Sequence, residues 1–392
     1  MNEVILVINS GSANIKFSVY SNTIGLNLLY HGILEIGNKN SKLRVLTSQQ
    51  IQITNQEINS NHYAVLFRHI FNWFNQLPQK YSLTAVGHRV VHGGSYFLKP
   101  TLITPTVVEQ IKNLAPLAPL HQYHNVDAME IIIALYPTVV QIACFDTCFH
   151  QTQEPIAKLF ALPKRVTEDK IIRYGFHGIS YEYIAAIITQ QLGALGNEKV
   201  IVAHLGNGAS MCAMYKCQSV ATSMGFTALD GLMMGSRCGR VDPGVLLYLL
   251  QEKHYSVDKL QYMLYHESGL LGVSGISHDM RELVLSNNPA AIEAIELFCY
   301  RAALEFGSLS MALGGCDVLV FTAGIGEHIP QIRQKICTYL HWLGVELDSQ
   351  ANTDNAVIIS TKKSKVLVSV IPTNEEYIIA KHAQFIGLKR TL

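Results

Sequence analysis

The chain has 392 residues, 30 lysines and arginines against 29 aspartates and glutamates, and a charged fraction of only 15%. Near-neutrality argues against a protein that coats nucleic acid by bulk positive charge. A hydrophobic fraction of 49% over this length promises a large core, and no uninterrupted apolar run looks like a bilayer span or a secretory leader. The eight cysteines include no C-x-x-C pair and read as small buried residues of a reducing, cytoplasmic compartment.

In chain order, Val4 to Ile8 predicts a strand, Asn9-Ser-Gly-Ser12 a turn, and Ile15 to Tyr20 a returning strand. The apolar positions from Tyr63 to Leu77 follow a helical period that Pro78 ends. Ala85 to Val91 and Val139 to Phe145 have strand length. Ser180 is placed to cap a helix that Gly193 closes. Val200 to Ala203, the glycine turn His204-Leu-Gly-Asn-Gly208, and Met211 to Tyr215 repeat the opening pattern. Superposing Gly11 on Gly206 also matches Val7 with Val202 and Tyr20 with Tyr215, which predicts a duplicated domain. Asp242-Pro243 opens a helix, and Asn288-Pro289 opens a long one reaching about Leu313. Asp317 to Phe321 predicts a strand leading into a third glycine turn, Gly324-Ile-Gly-Glu327, and Val366 to Val370 another strand before a final helix. Interleaved strands and helices predict an α/β fold in two lobes.

Glycine turns after strands bring backbone N–H groups close to a phosphate, and Lys16, just past the first turn, can reach one. Neither a Walker A loop nor a G-x-G-x-x-G fingerprint is present, so any nucleotide is bound on another scaffold. Arg89, Arg237 and His177 stand in glycine-rich, apolar contexts; singly each reads as an ion pair or core histidine, together as donors gathered around anions. Asp146 and Glu375 follow strands, where they could cap a helix or loop or supply oxygen to Mg²⁺.

Taken together, Asn9-x-Gly-Ser12-x-x-x-Lys16, GHRVVHGG from Gly87, FDTCFHQT from Phe145, YGFHG from Tyr174, HLGNGAS from His204, GLMMGSRCG from Gly231, FTAGIGE from Phe321 and IPTNEE from Ile371 resemble the acetate kinase family. The resemblance implies two duplicated actin-like (ribonuclease H-like) lobes with a nucleotide cleft between them. It implies a first lobe at 1–148, with the helix 377–392 packed on it, and a second at 149–376 carrying the nucleotide site and a homodimer interface. The implied reaction is reversible transfer of the γ-phosphoryl group of ATP to acetate, giving acetyl phosphate and ADP, with Mg²⁺ (or Mn²⁺ in its place). Carried over, Asn9 and Glu375 would place the metal. Lys16, His204, Leu205, Gly206, Asn207 and Gly208 would meet the phosphates, and Asp279, Met280, Arg281, Gly324, Ile325, Gly326, Glu327 and His328 the adenosine. Arg89 and Arg237 would grip carboxylate or acyl phosphate, and His177 would hydrogen-bond the phosphoryl group.

Asp146 corresponds to an acidic residue that the family treats as an acid/base. A carboxylate nucleophile has no proton to lose near neutrality, so orienting Arg89 or Mg²⁺ is the more economical role. Val91, Leu120, Phe176 and Ala228 would line the acyl pocket, with Ala228 replacing a proline and leaving room for propionate. Other departures are Asn14, Gln122 to Asn125, Ile179, Tyr181, His328, and Arg240, which is expected to make the surroundings of Arg237 more positive. Propionate or butyrate kinase is the rival within the family; a non-catalytic actin-like nucleotide switch is the rival outside it.

Overall fold

A computed structural model describes residues 2–77, 79–119 and 121–388. Pro78, Leu120 and the end of the helix expected at 377–392 therefore lie outside the described residues. The chain forms two compact units, one of Met1–Cys148 with Asn374–Leu392 and one of Phe149–Thr373. The division falls at Thr373 rather than 376, which gives Glu375 to the first unit.

The first unit is built on eight strands: β1 (Asn2–Ser10), β2 (Asn14–Ser21), β3 (Leu28–Glu35), β4 (Ser41–Thr47), β5 (Gln52–Ile58), β6 (Tyr81–Val90), β7 (Thr101–Leu102) and β8 (Val140–Phe145). Their order is β5-β4-β3-β2-β1-β6-β8-β7. Val4, Leu6, Ile8, Ile15, Phe17 and Val19 alternate along the hairpin and bury one face against Leu66, Phe67, Ile70, Phe71 and Phe74 of helix Tyr63–Asn75. Gly87 of β6 faces helix Glu375–Leu388, where a Cβ would come within 2.5 Å of the Ile379 side chain. That glycine is what lets the last helix lie on the sheet.

The second unit contains β9 (Val200–Leu205), β10 (Ala209–Tyr215), β11 (Gln218–Thr222), β12 (Val318–Thr322) and β13 (Leu367–Val370), in the order β11-β10-β9-β12-β13. β9 pairs antiparallel with β10 and parallel with β12, as β1 does with β2 and β6. The order β3-β2-β1-β6-β8 in the first unit is thus reproduced, strand for strand, in the second. The duplication read from the Gly11/Gly206 superposition is a duplication of sheet topology.

Two local expectations change. Helix Gly178–Leu192 starts at His177, in the left-handed region at φ 56°, so Ser180 is not its cap. Its hydroxyl is drawn instead to His204 Nδ1 and Thr373 Oγ1, each at 2.8 Å. The third glycine turn is a short helix, Ala323–His328. Ala323 makes the bend at φ 64°, and the Glu327 carboxylate accepts its N–H at 2.7 Å, closing the helix on itself.

Two buried imidazoles tie pH to stability. His88 contacts Gln141 Oε1 at 2.7 Å, and His150 contacts Ser219 Oγ and the Phe176 carbonyl at 2.9 and 3.0 Å. Burial pushes both down to about 4 from an ordinary 6.5. Between those values the unfolded imidazoles take up protons that the folded ones refuse, so stability rises with pH across the window and is lost on acidification. Melting temperature is expected to fall as pH drops from 6.5 towards 4, and His88→Asn should flatten that slope; an unchanged slope would remove His88 from the account.

Candidate active site

In the first unit the site residues stand at strand ends. Asn9 and Lys16 are direct partners across the β1–β2 hairpin, joined by the turn in which Gly11 N–H donates to the Asn14 carbonyl. Arg89 is the penultimate residue of β6, and Asp146 follows β8 with its N–H on the Val90 carbonyl. Arg89 Nη2 donates to Asp146 Oδ2 at 2.7 Å, and Nε lies 3.2 Å from both carboxylate oxygens. Arg89 Nη1 is 3.7 Å from Glu375 Oε2. The Asp146 side chain is 2% exposed and that of Arg89 20%, so the carboxylate is enclosed while the guanidinium keeps some contact with solvent. Burial would lower the Arg89 pKa, but the charges of Asp146 and Glu375 overcome it and raise it, keeping the guanidinium charged.

Asn125, the last residue of the departing segment Gln122 to Asn125, fastens two of these elements. Its Nδ2 donates to the Ser10 carbonyl at 2.9 Å and its Oδ1 accepts the Val91 N–H at 3.3 Å. It fixes the first glycine turn relative to the end of β6. Val91 is half-buried beside it, while Leu120, its expected companion, lies outside the described residues.

In the second unit His204 is the penultimate residue of β9, Leu205 ends the strand fully buried, and Gly206 N–H donates to the Gly208 carbonyl across the turn. The rings of His177 and His204 stack at 4.3 Å. A Cβ on Gly208 would lie 3.0 Å from Arg237 Nη2 and 3.2 Å from His177 Nε2, so any other residue there would crowd both nitrogens. Arg237 and His177 therefore both border the turn. Arg237 Nη1 also donates to the Ala228 carbonyl at 2.7 Å, which sets Ala228 directly against the guanidinium. Phe176 is buried in the segment leading to His177. Arg240, expected to add positive charge, instead pairs with the buried Glu305 at 3.4 Å, and that carboxylate offsets it.

Asp279 accepts the Arg281 N–H at 2.9 Å and its guanidinium as well, holding an exposed arginine at a turn whose Met280 is buried. Glu327 Oε1 accepts N–H groups from Ala323 and Thr373 at 2.7 and 3.0 Å. The geometry thus gives Glu327 the work of joining β12's end to the segment after β13, while Gly324 is exposed and His328 is 72% exposed. Arg333, unnoticed in the sequence, is fully buried and donates to the Gly326 and Glu327 carbonyls at 2.9 Å each.

A doubled β11-β10-β9-β12-β13 sheet order, with Arg89, His204 and two glycine turns at or near the strand ends, defines an actin-like two-lobed α/β protein. More narrowly, residues 4–381 match the acetokinase family, and the chain belongs to it. It is 50% identical to an acetate kinase of Rhodopseudomonas palustris strain TIE-1 over 97% of this chain and 98% of that one. Among solved structures, a propionate kinase from Francisella tularensis superposes with TM-score 0.92 at 37% identity, covering 98% of this chain and 99% of the other. The acetate kinase of Porphyromonas gingivalis gives 0.88 at 34% identity with the same coverage of both chains.

Proposed function

We propose that the protein is an ATP-dependent carboxylate kinase that transfers the γ-phosphoryl group to acetate, and in reverse makes ATP from acetyl phosphate. The observation that carries this reading is the Arg89 fork, fixed by Asp146 and Glu375 and still partly exposed. An arginine so held suits a carboxylate or acyl phosphate, which it meets with two parallel donors. Acceptor and donor are both anionic, so catalysis consists mainly of offsetting their repulsion and stabilising the in-line transition state. Arg89 serves this in the first unit; Arg237 and His177 serve it in the second, with Lys16 and the 204–208 turn receiving phosphates. Both Asp146 oxygens face Arg89, which supports orientation rather than proton removal as its task. Transfer is direct, without a phosphoenzyme.

The oxygen donors of Asn9 and Glu375 fit Mg²⁺, which takes one or two protein oxygens and fills its shell with water and phosphate. Bound there, Mg²⁺ (or Mn²⁺) would neutralise phosphate charge. The nucleotide's adenosine falls to residues 279–281 and 324–328, with Glu327 supporting them from behind.

The second unit joins a homodimer. Helix Pro243–Gln251 supports this: it carries Val245, Leu247 and Tyr248 exposed, and none of its residues is buried. Sedimentation at the mass of one chain would remove the dimer. Among the described residues no helix is long and apolar enough to cross a membrane.

The test is ATP, Mg²⁺ and carboxylate with hydroxylamine, scoring hydroxamate. Acetate-dependent hydroxamate is expected; ATP hydrolysis indifferent to acceptor would instead favour a nucleotide switch. In the same assay propionate should be used well, because Ala228 is small. One further buried methylene is worth roughly 0.8 kcal/mol, about fourfold. Ala228→Pro should therefore lower the propionate-to-acetate ratio of kcat/KM, and an unchanged ratio would dismiss the acyl-pocket role of Ala228.

A further inference from the structure

His177 and Tyr181 lie four residues apart on the first turn of helix Gly178–Leu192, where the Tyr181 N–H donates to the His177 carbonyl. Residues so spaced share a helix face, and here both side chains reach one atom of β10. Ser210 Oγ is 2.8 Å from His177 Nδ1 and 2.5 Å from the Tyr181 hydroxyl. Tyr181 and Ser210 are fully buried. The rings of His150 and Phe149 lie 5.6 and 6.3 Å from that of Tyr181 and hold it in place.

We propose that Tyr181 is a positioning residue which, through Ser210, fixes the tautomer of His177 so that Nε2 carries the ring proton. The proposal rests on the reading of His177 as a donor to the phosphoryl group. A serine hydroxyl has one proton and two lone pairs, whereas a phenol, with pKa about 10, is the more acidic and better donor. Tyr181 O–H donates to Ser210 Oγ, and the serine proton is then directed at the remaining partner, the Nδ1 lone pair. Nδ1 accepts, so the proton of neutral imidazole sits on Nε2. That nitrogen is the atom which, with Arg237 Nη2, borders Gly208. Two donors then face the same ground. The opposite tautomer would run the chain backwards and turn an Nε2 lone pair towards any anion there, repelling it.

The full-length protein labelled with ¹⁵N at histidine reads the tautomer directly from long-range ¹H–¹⁵N spectra, with His177→Ala assigning the signal. Wild type should show Nε2–H with unprotonated Nδ1. Tyr181→Phe, which keeps the ring and removes only the hydroxyl, should raise the Nδ1–H population. It should also lower kcat roughly three- to tenfold, the worth of one neutral hydrogen bond, with KM for ATP and acetate changed by less than about twofold. Ser210→Ala should give the same spectral change. An Nδ1–H tautomer in wild type, or spectra unmoved by Tyr181→Phe, would overturn the proposal. So would a kcat loss from Tyr181→Phe that is as large in the His177→Ala background as in wild type. If His177→Ala alone left kcat intact, the reading of His177 would fall, and the spectra would still decide whether Tyr181 sets its tautomer.

Discussion

Asp146→Asn is expected to lower kcat by about 10²- to 10³-fold while KM for ATP stays within a few-fold. The substitution removes the charge and turns an NH₂ group towards a guanidinium that has only donors to offer. Arg89 then keeps one carboxylate, Glu375, at 3.7 Å. Breaking a buried pair by neutralising one partner costs about 3–5 kcal/mol, and each 1.36 kcal/mol spent on misplacing the fork in the transition state is about tenfold in rate. The pH profile separates the two roles open to Asp146. If the carboxylate orients Arg89, Asp146→Asn scales the kcat–pH curve down without changing its shape. Loss of one limb of that curve would assign it proton transfer. Steady-state hydroxamate kinetics from pH 6 to 9 or so gives either answer.

The second large effect falls on stability. Arg333→Leu is expected to lower the melting temperature by roughly ten degrees or more. The guanidinium is 0% exposed and spends its donors on the carbonyls of Gly326, Glu327 and Asn352 and on the side-chain oxygens of Asn352 and Asn355, at 2.6–2.9 Å. Leucine leaves those acceptors without these donors, at about 1–3 kcal/mol for each that stays buried and unsatisfied. Arg333→Lys should recover only part of the loss, because a point ammonium cannot span acceptors laid out for a planar fork. Thermal melts of both variants decide it; equal melting temperatures for wild type and Arg333→Leu would show that the region repacks without the network.

What the sequence made legible was whatever depends on neighbours along the chain. Apolar runs marked β1, β2, β9 and β12, Asp242-Pro243 and Asn288-Pro289 opened their helices, and the Gly11/Gly206 match exposed the repeated sheet. Misreadings came where a distant partner outbids a local habit. Ser180 has the chemistry of a helix cap, but His204 and Thr373 claim its hydroxyl. Gly324 and Gly326 suggest a turn, yet the Glu327 carboxylate stitches the segment into helix. Arg240 looked like surplus positive charge until Glu305 was placed beside it. Arg333 left no local trace, while Ser210, inside the HLGNGAS motif, and Asn125, inside the 122–125 segment, gave no sign of their partners, since each acts through contacts that only the folded chain creates.

The interrupted course of the first unit bears on how the protein is made. Roughly 225 residues separate its two segments, and at about 5–20 residues per second a ribosome needs on the order of 10–45 s to cross them. Through that interval the β6 face around Gly87 lacks the helix that will cover it, and Glu375 is not yet available to Arg89. The second unit, continuous in the chain, can finish first. Nascent first units are thus left with an apolar sheet surface in a crowded cell, a state suited to chaperone capture. A released chain that ends at Thr373 should carry a completed second unit and an uncovered first, the reverse of the order in which the two begin.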